Sequence, residues 1–522
     1  MLYFSGRFLP PPVTLWGLFC HQSFSFLPIL MKKLFSFLLS GAFVFGVVTA
    51  TYANNIQVTN ISLENLNNTN QTVMIQFDVS WENSWRVSAG PSNWDAAWLF
   101  VKYRANSGDW QHALLTGTAP NVGGATVSVV PDSVGAFLYR SGNGSGNVDY
   151  TGVQLEWDYG SGGVTESDVL DVQVFAIEMV YVPQGAFYVG GTTGSEVNKF
   201  YAGGGLSSVS YQVTSESAIT VANTAGNLYY DVESGSTGGD QTGTLGADYP
   251  KGYGAFYCMK YETSQAQWVA FFNTLTAAQK ANLDITGVTG KNTDAESVRN
   301  GVAWSGGSAS ATTTFPDVAA NYIANLYVAA YLDWAGLRPM TELEYEKACR
   351  GPVAPKAGEF AWGSANIGTE AYTLSNPGQP TEWITNPAEG AGNAWYQSTY
   401  GSTSGPIRNG IFAASAVHKN REETGGSYYG IMELTGNLYE RCISVGIVQG
   451  RVFTGQHGNG SLTITGSHDV AAWPVGNEGI AYRGGSYANA SEYLRLSDRY
   501  DAASVLTGGN SRIGFRGVRT VF

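Results

Sequence analysis

Apolar and polar side chains alternate one for one along Ile56-Gln57-Val58-Thr59-Asn60-Ile61-Ser62-Leu63, and again along Val73-Met74-Ile75-Gln76-Phe77-Asp78-Val79-Ser80-Trp81. A period of two places every second side chain on one face of an extended chain, so such runs fold as half-buried strands. Ala97-Trp98-Leu99-Phe100-Val101-Lys102-Tyr103 continues the pattern, and turn clusters such as Asn67-Asn68 and Ser141-Gly142-Asn143-Gly144 separate the runs. About seven or eight runs of this kind over residues 54–172 predict an N-terminal all-β sandwich of the immunoglobulin or fibronectin type. The aromatic stretch Trp81, Trp85, Trp94 and Trp98 reads as core and rim packing of that sandwich.

From Gln173 the texture changes. Residues 192–250 are rich in Gly, Ser and Thr and read as long ordered loops or an insertion. Three helices are predicted. Ser264 to Thr274 opens with Ser264 and Gln267 spaced as a capping box. Asp317 to Trp334 carries Val318, Ile323, Leu326, Tyr327, Tyr331 and Leu332 at helical spacing and stops at Gly336. Thr341 to Cys349 opens with a second capping box, Thr341 and Glu344, and stops before Gly351. The remainder to Phe522 is Gly- and aromatic-rich with few long elements, which matches 66 Gly and 13% aromatic residues in the whole chain. Hydrophobic residues reach 43% and charged residues only 13%, so the chain has the composition of a globular protein. The net charge of −13 repels phosphate backbones and argues against nucleic acid as a partner, whereas it suits cations such as calcium.

Met31-Lys32-Lys33, the apolar run Leu34 to Val48 and the small residues Thr49, Ala50, Thr51 and Ala53 have the three parts of a secretory signal peptide over 31–53. Residues 1–30 then read as an extension ahead of the true start. The apolar run is too short for a membrane span, so the mature chain is expected in the periplasm, at the cell surface or outside the cell. Cys20 would leave with the leader, and Cys258, Cys349 and Cys442 are too far apart in sequence for a zinc site or a disulfide framework. Cys349 and Cys442 read as buried small residues.

Five segments in order resemble the formylglycine-generating enzyme (sulfatase-modifying factor) family. They are Met179-Val180-Tyr181-Val182-Pro183-Gln184-Gly185-Ala186-Phe187, then Phe256-Tyr257-Cys258-Met259-Lys260-Tyr261-Glu262-Thr263-Ser264, then Arg338-Pro339-Met340-Thr341-Glu342-Leu343-Glu344-Tyr345-Glu346. Gly430-Ile431-Met432-Glu433-Leu434-Thr435-Gly436-Asn437-Leu438-Tyr439-Glu440 follows, and the pair Arg483-Gly484-Gly485-Ser486-Tyr487 and Ile513-Gly514-Phe515-Arg516 closes the series. The third segment has Pro and Met where the family has Leu and Pro. The resemblance implies an α+β, C-type lectin-like domain over 173–522 with little regular secondary structure.

In the oxidases of that family two Cys follow the segment matched by Gly484-Gly485-Ser486-Tyr487 and bind copper(I), which favours soft thiolates. Here the corresponding positions hold Asn489 and Leu494. The resemblance therefore implies that copper is absent and that formylglycine formation by this route does not occur. An iron site would need converging His residues, and only His112, His418, His457 and His468 follow the leader. The resemblance also implies a structural calcium loop, with side chains of Glu433 and Glu440 and carbonyls of Gly436 and Leu438 as ligands. The alternative for Glu440 is an ion pair with Arg441, Arg483 or Arg516. In lectin-like relatives the C-terminal stretch forms a ligand face, which here would comprise Tyr487, Asn489, Tyr493, Arg495 and Arg499, flanked by Tyr482, Tyr500 and Asn510. The expected function is binding of a protein or glycan ligand by a non-catalytic member. The alternatives are an oxidase that uses a different metal site and a structural component of the cell envelope.

Overall fold

The computed structural model describes residues 21–25, 55–192 and 196–521. The expected leader and most of the expected extension lie outside the described residues. The strands are β1 (His21–Ser25), β2 (Gln57–Asn67), β3 (Thr72–Arg86), β4 (Asp95–Ala105), β5 (Gln111–His112), β6 (Ala125–Val129), β7 (Ala136–Arg140), β8 (Gly144–Asp158) and β9 (Val169–Val182). Short strands follow: β10 (Phe187–Val189), β11 (Phe200–Ala202), β12 (Tyr211–Val213), β13 (Ile219–Val221), β14 (Leu228–Tyr230) and β15 (Gly243–Leu245). After β16 (Phe256–Met259) come helices α1 (Gln265–Asn273), α2 (Ala277–Asn282) and α3 (Asn325–Trp334), then β17 (Arg338–Thr341) and α4 (Glu342–Arg350). The chain ends through β18 (Leu374–Ser375), β19 (Trp383–Ile384), α5 (Ile411–Ser415), β20 (Glu440–Ile443), α6 (Val448–Arg451), β21 (Ile480–Arg483) and β22 (Gly517–Thr520).

The predicted strands form, but they are not partitioned as a free-standing sandwich. One sheet runs β21-β20-β17-β22-β16-β9-β4-β7-β6, with β1 and β5 joined to β9 and β4. It takes strands from both sides of the 172/173 boundary, which falls inside β9. β2-β3-β8 form a separate sheet of N-terminal strands, which packs across a shared core on the β9-β4-β7-β6 part of the large sheet.

The sequence of β4 explains this arrangement. Ala97, Leu99 and Val101 face a core shared with Ile75, Phe77, Val79 and Leu155 of β3 and β8. Ala96, Trp98 and Phe100 face a second core built with Trp268, Phe271, Tyr331 and Trp334 of α1 and α3. A strand that is apolar on both faces must be covered on both, so the run 97–103 is fully buried and not half-buried as its alternation predicted. Trp98 Nε1 donates to Ala335 O at 2.8 Å, and Arg519 stacks 4.6 Å from the Trp98 ring centre.

The capping boxes at Ser264–Gln267 and Thr341–Glu344 start α1 and α4 as predicted. A third, Thr276 with Gln279, starts the unpredicted α2. The predicted helix from Asp317 is shorter and begins at Asn325. Before it, Tyr322 adopts φ 60°, Ala320 N donates to Thr263 O at 2.8 Å, and the Asn321 amide donates to Val298 O and Ser511 O. These contacts take the backbone away from its helical partners. Gly336, at φ 68°, ends α3 as expected. Residues 196–250 are not loops only: β11, β14, β13 and β15 form a small sheet.

A buried ionic network fastens α4 to the C-terminal strands. Arg499 pairs with both Glu342 oxygens at 2.8 and 2.9 Å, and its guanidinium lies 4.0 Å from the Phe200 ring centre. Arg483 bridges Glu342 at 3.1 Å and Glu346 at 2.7 Å, and Arg350 binds Glu359 at 2.6 Å. Burial alone would push the Glu342 carboxyl up, but Arg499 and Arg483 outweigh it and hold it below its usual value. Truncating one partner leaves an uncompensated buried charge. Arg499→Ala is expected to cost about 3–5 kcal/mol in denaturant unfolding, whereas Tyr493→Ala, at a half-exposed position, is expected to cost about 1 kcal/mol or less.

Candidate functional site

The segment Glu433–Glu440 is a tight, buried loop. Glu433 and Asn437 adopt φ 52° and 60°, and Gly436 adopts φ 80° against the Trp395 backbone. Asn tolerates this region better than other non-glycine residues. Asn437 is also fixed by its side chain, which accepts from Ile407 N at 2.9 Å and donates to Glu262. Leu438 N donates to the other Glu262 oxygen at 3.0 Å.

Arg516, just before the final strand, closes the loop. Its Nε and Nη2 both contact Glu440 Oε1, at 2.6 and 2.5 Å, and it donates to the carbonyls of Met259, Lys260 and Glu433. The ion pair named as the alternative for Glu440 is therefore present, with Arg516 as partner. It uses one oxygen only. Glu440 Oε2 and Glu433 Oε2 are buried without a hydrogen-bond partner, while Glu433 Oε1 accepts from Gly410 N at 2.9 Å. Glu262, Glu433 and Glu440 are all buried around this arginine. Burial pushes the carboxyls of Glu262 and Glu440 up and raises that of Glu433 to about 7. Arg516, with Arg408 near Glu433 and Arg441 near Glu440, pulls these carboxyls the other way. Two oxygens without partners fit a hard cation, although among the described residues no group of three His, Cys, Asp or Glu side chains is placed to hold a metal.

The positions matched to the copper thiolates have structural roles. Asn489 Oδ1 accepts from Ser486 N at 3.1 Å and from the Ser486 hydroxyl, which closes a turn. Leu494 is fully buried with Phe360, Trp362, Ala394 and Tyr396. Cys258, Cys349 and Cys442 are free thiols buried in a different apolar cluster. Burial pushes all three thiols up, that of Cys349 to about 12.

The expected ligand face divides in two. Arg499 is buried in the network with Glu342 and cannot meet a ligand. Tyr487 is 3% exposed and packs with Trp395 and Leu438, its hydroxyl 3.4 Å from Ser511 Oγ. Asn489, Tyr493 and Arg495 are half-buried, and Tyr493 stands edge-on to Tyr500 at 5.3 Å. The histidines do not form a common centre. His418 pairs with Glu423 at 2.9 Å, His457 Nε2 accepts from Thr520 N at 3.0 Å, and His468 packs on Trp473.

A cavity of about 810 Å³ lies elsewhere, lined by Asp132, Glu216, Asp248, Asp469, the buried Arg338–Glu344 pair and His457. Sequence reasoning missed it because these residues come from distant segments and share no local motif.

The Sulfatase-modifying factor enzyme 1-like domain model matches residues 172–521. No curated protein matches the chain. Among solved structures the chain is similar to Treponema denticola variable protein 1, at 12% identity and a TM-score of 0.31, over 66% of this chain and 96% of that one. The family match covers the five ordered segments and most of the chain, so the chain belongs to the sulfatase-modifying factor family.

Proposed function

We propose that this chain is a secreted, non-catalytic member of its family that binds a protein or glycan ligand through its C-terminal region. The observation that carries this reading is the use made of Asn489 and Leu494: one closes a turn and the other fills a core, and neither is a soft ligand for copper. The buried thiols, with their raised pKa values, supply no replacement. Half-buried Tyr493, Arg495 and Asn489, with Tyr500 alongside, have the amphipathic character of recognition residues. Among the described residues no helix is long and apolar enough to cross a membrane. The segment 31–53 supports export through its signal-peptide pattern.

Calcium is part of this proposal, in a structural role. Glu433 and Glu440 would hold it with the carbonyls of Gly436 and Leu438. It would take the Glu433 and Glu440 oxygens that have no hydrogen-bond partner.

Incubation with copper, reductant, oxygen and a sulfatase-type Cys peptide is expected to leave the peptide mass unchanged beside an active control. Gain of formylglycine would show that the reading of Asn489 and Leu494 is wrong. On a glycan array or a panel of envelope proteins, Tyr493→Ala with Arg495→Ala is expected to weaken a binding signal at least tenfold, a loss of about 1.4 kcal/mol or more.

Stability should report the calcium loop. The Glu433 carboxyl lies at about 7 in the fold, above its ordinary 4.5. A group raised in this way holds more protons in the native state, so its contribution is full below about pH 4.5 and is lost as pH rises through about 7. In chelator, Tm is expected to fall between about pH 5 and 7.5. Calcium at a hundredfold its Kd should restore about 2.7 kcal/mol at the upper pH. An unchanged Tm with calcium across this range would remove the ion from the proposal.

A further inference from the structure

β4, β9 and β16 are neighbours in the large sheet, and they bring three ionisable side chains from distant parts of the chain into one buried cluster. Asp95 opens β4, Glu178 lies within β9 and Lys260 follows β16. Asp95 pairs with Val180 across the β4–β9 ladder, which puts Asp95 and Glu178 on the same face of the sheet, and Lys260 N donates to Glu178 O at 2.9 Å. Their exposures are 0%, 4% and 2%. Lys260 Nζ is 3.0 Å from Glu178 Oε2 and 3.8 Å from Asp95 Oδ2, and it lies 5.1 Å from the Trp85 ring centre.

Two buried acids face one buried amine. If all three were ionised, the pocket would carry an uncompensated negative charge, which an apolar interior disfavours. Burial pushes both carboxyls up, which favours a proton on one of them. The pocket is then neutral, with one ammonium, one carboxylate and one carboxylic acid. Glu178, Tyr261 and Asp95 hold Lys260 as the ammonium at rest, and shifting a single proton from it to Asp95 leaves the net charge at zero and sets a neutral amine beside a neutral carboxyl.

The surroundings of Asp95 suit attack on its carbon. Trp81 Nε1 donates to Oδ2 at 2.9 Å, and Ser84 Oγ and Trp85 N donate to Oδ1 at 2.8 and 3.0 Å. Fixed donors of this kind stabilise negative charge on the carboxyl oxygens of a tetrahedral intermediate. Glu178 Oε1 is buried with no hydrogen-bond partner, so it has capacity for a proton in transit.

We propose that Lys260 and Asp95 condense to an intramolecular amide. Lys260 Nζ attacks Asp95 Cγ, the N–C bond forms, the C–OH bond breaks and one water leaves. Glu178, which holds the pocket's other proton, gives it to the departing hydroxyl and takes one in exchange from the attacking nitrogen. Nothing is oxidised or reduced and no co-reactant is needed. The bond fastens β4 to the segment after β16, across the boundary between the N-terminal strands and the family domain.

The test is the intact mass of the folded recombinant protein, followed by proteolysis and fragmentation. The expected result is a mass one water below that of the same chain unlinked, together with a branched peptide joining Asp95 to Lys260. Lys260→Arg and Glu178→Gln are expected to show the full mass. Asp95→Asn is expected to lose ammonia in place of water, which identifies the reacting carbon. A cooperatively folded wild-type protein that keeps its full mass and yields no branched peptide after prolonged incubation overturns the proposal. So does a water loss that persists in Lys260→Arg.

Discussion

The pairing of β4 with β9, from Asp95 opposite Val180 to Ala105 opposite Leu170, is the interaction on which the rest depends. It carries the large sheet from the family domain into the N-terminal strands. On one face it completes the core under α1 and α3, and on the other it gives β2-β3-β8 a surface to cover. Without β4, the apolar faces of β9 and the aromatic side chains of α3 would lose their cover. The hydrophobic gain of such a two-sided strand scales with the area it removes from water on both faces.

The same sheet organises the polar interior. Arg483, Arg499, Arg516 and Arg519 are all fully buried, and all lie in the C-terminal strands or the segments that join them. Each is tied to acids or carbonyls supplied by other parts of the fold: Glu342 and Glu346 from α4, Glu440 from β20, and Asp132 from the turn between β6 and β7. Guanidinium groups suit this work because their planar donors can serve several acceptors at once. A domain with few long helices and strands is held in one arrangement by these charged ties. The segments that carry the family resemblance are largely the ones that supply them.

How much was legible in the sequence follows from how local each signal was. Capping boxes act over three residues, so Ser264 with Gln267 and Thr341 with Glu344 placed two helix starts correctly. Alternation revealed the strands but not their partners. Ala97 to Tyr103 looked half-buried because nothing in the run shows that its second face is covered by helices found more than 150 residues later. The helix predicted from Asp317 failed where tertiary contacts of Ala320 and Asn321 override local spacing. Arg499 looked like a recognition residue because its partner, Glu342, is distant in sequence. Asn489 and Leu494 were legible by position alone, and the structure adds what those side chains do. The cavity and the Lys260–Asp95–Glu178 pocket left no local trace, since each is assembled from separated segments.

The most direct measurement is calorimetric unfolding of the chain from residue 55 onward, compared with the family domain alone from residue 173. Because β4 and β9 share one sheet, the longer chain is expected to melt in a single cooperative transition, and the shorter one to lack a cooperative transition with its cores uncovered. Two separate transitions in the longer chain, with the second reproduced by the isolated domain, would contradict the dependence of the family domain on the N-terminal strands.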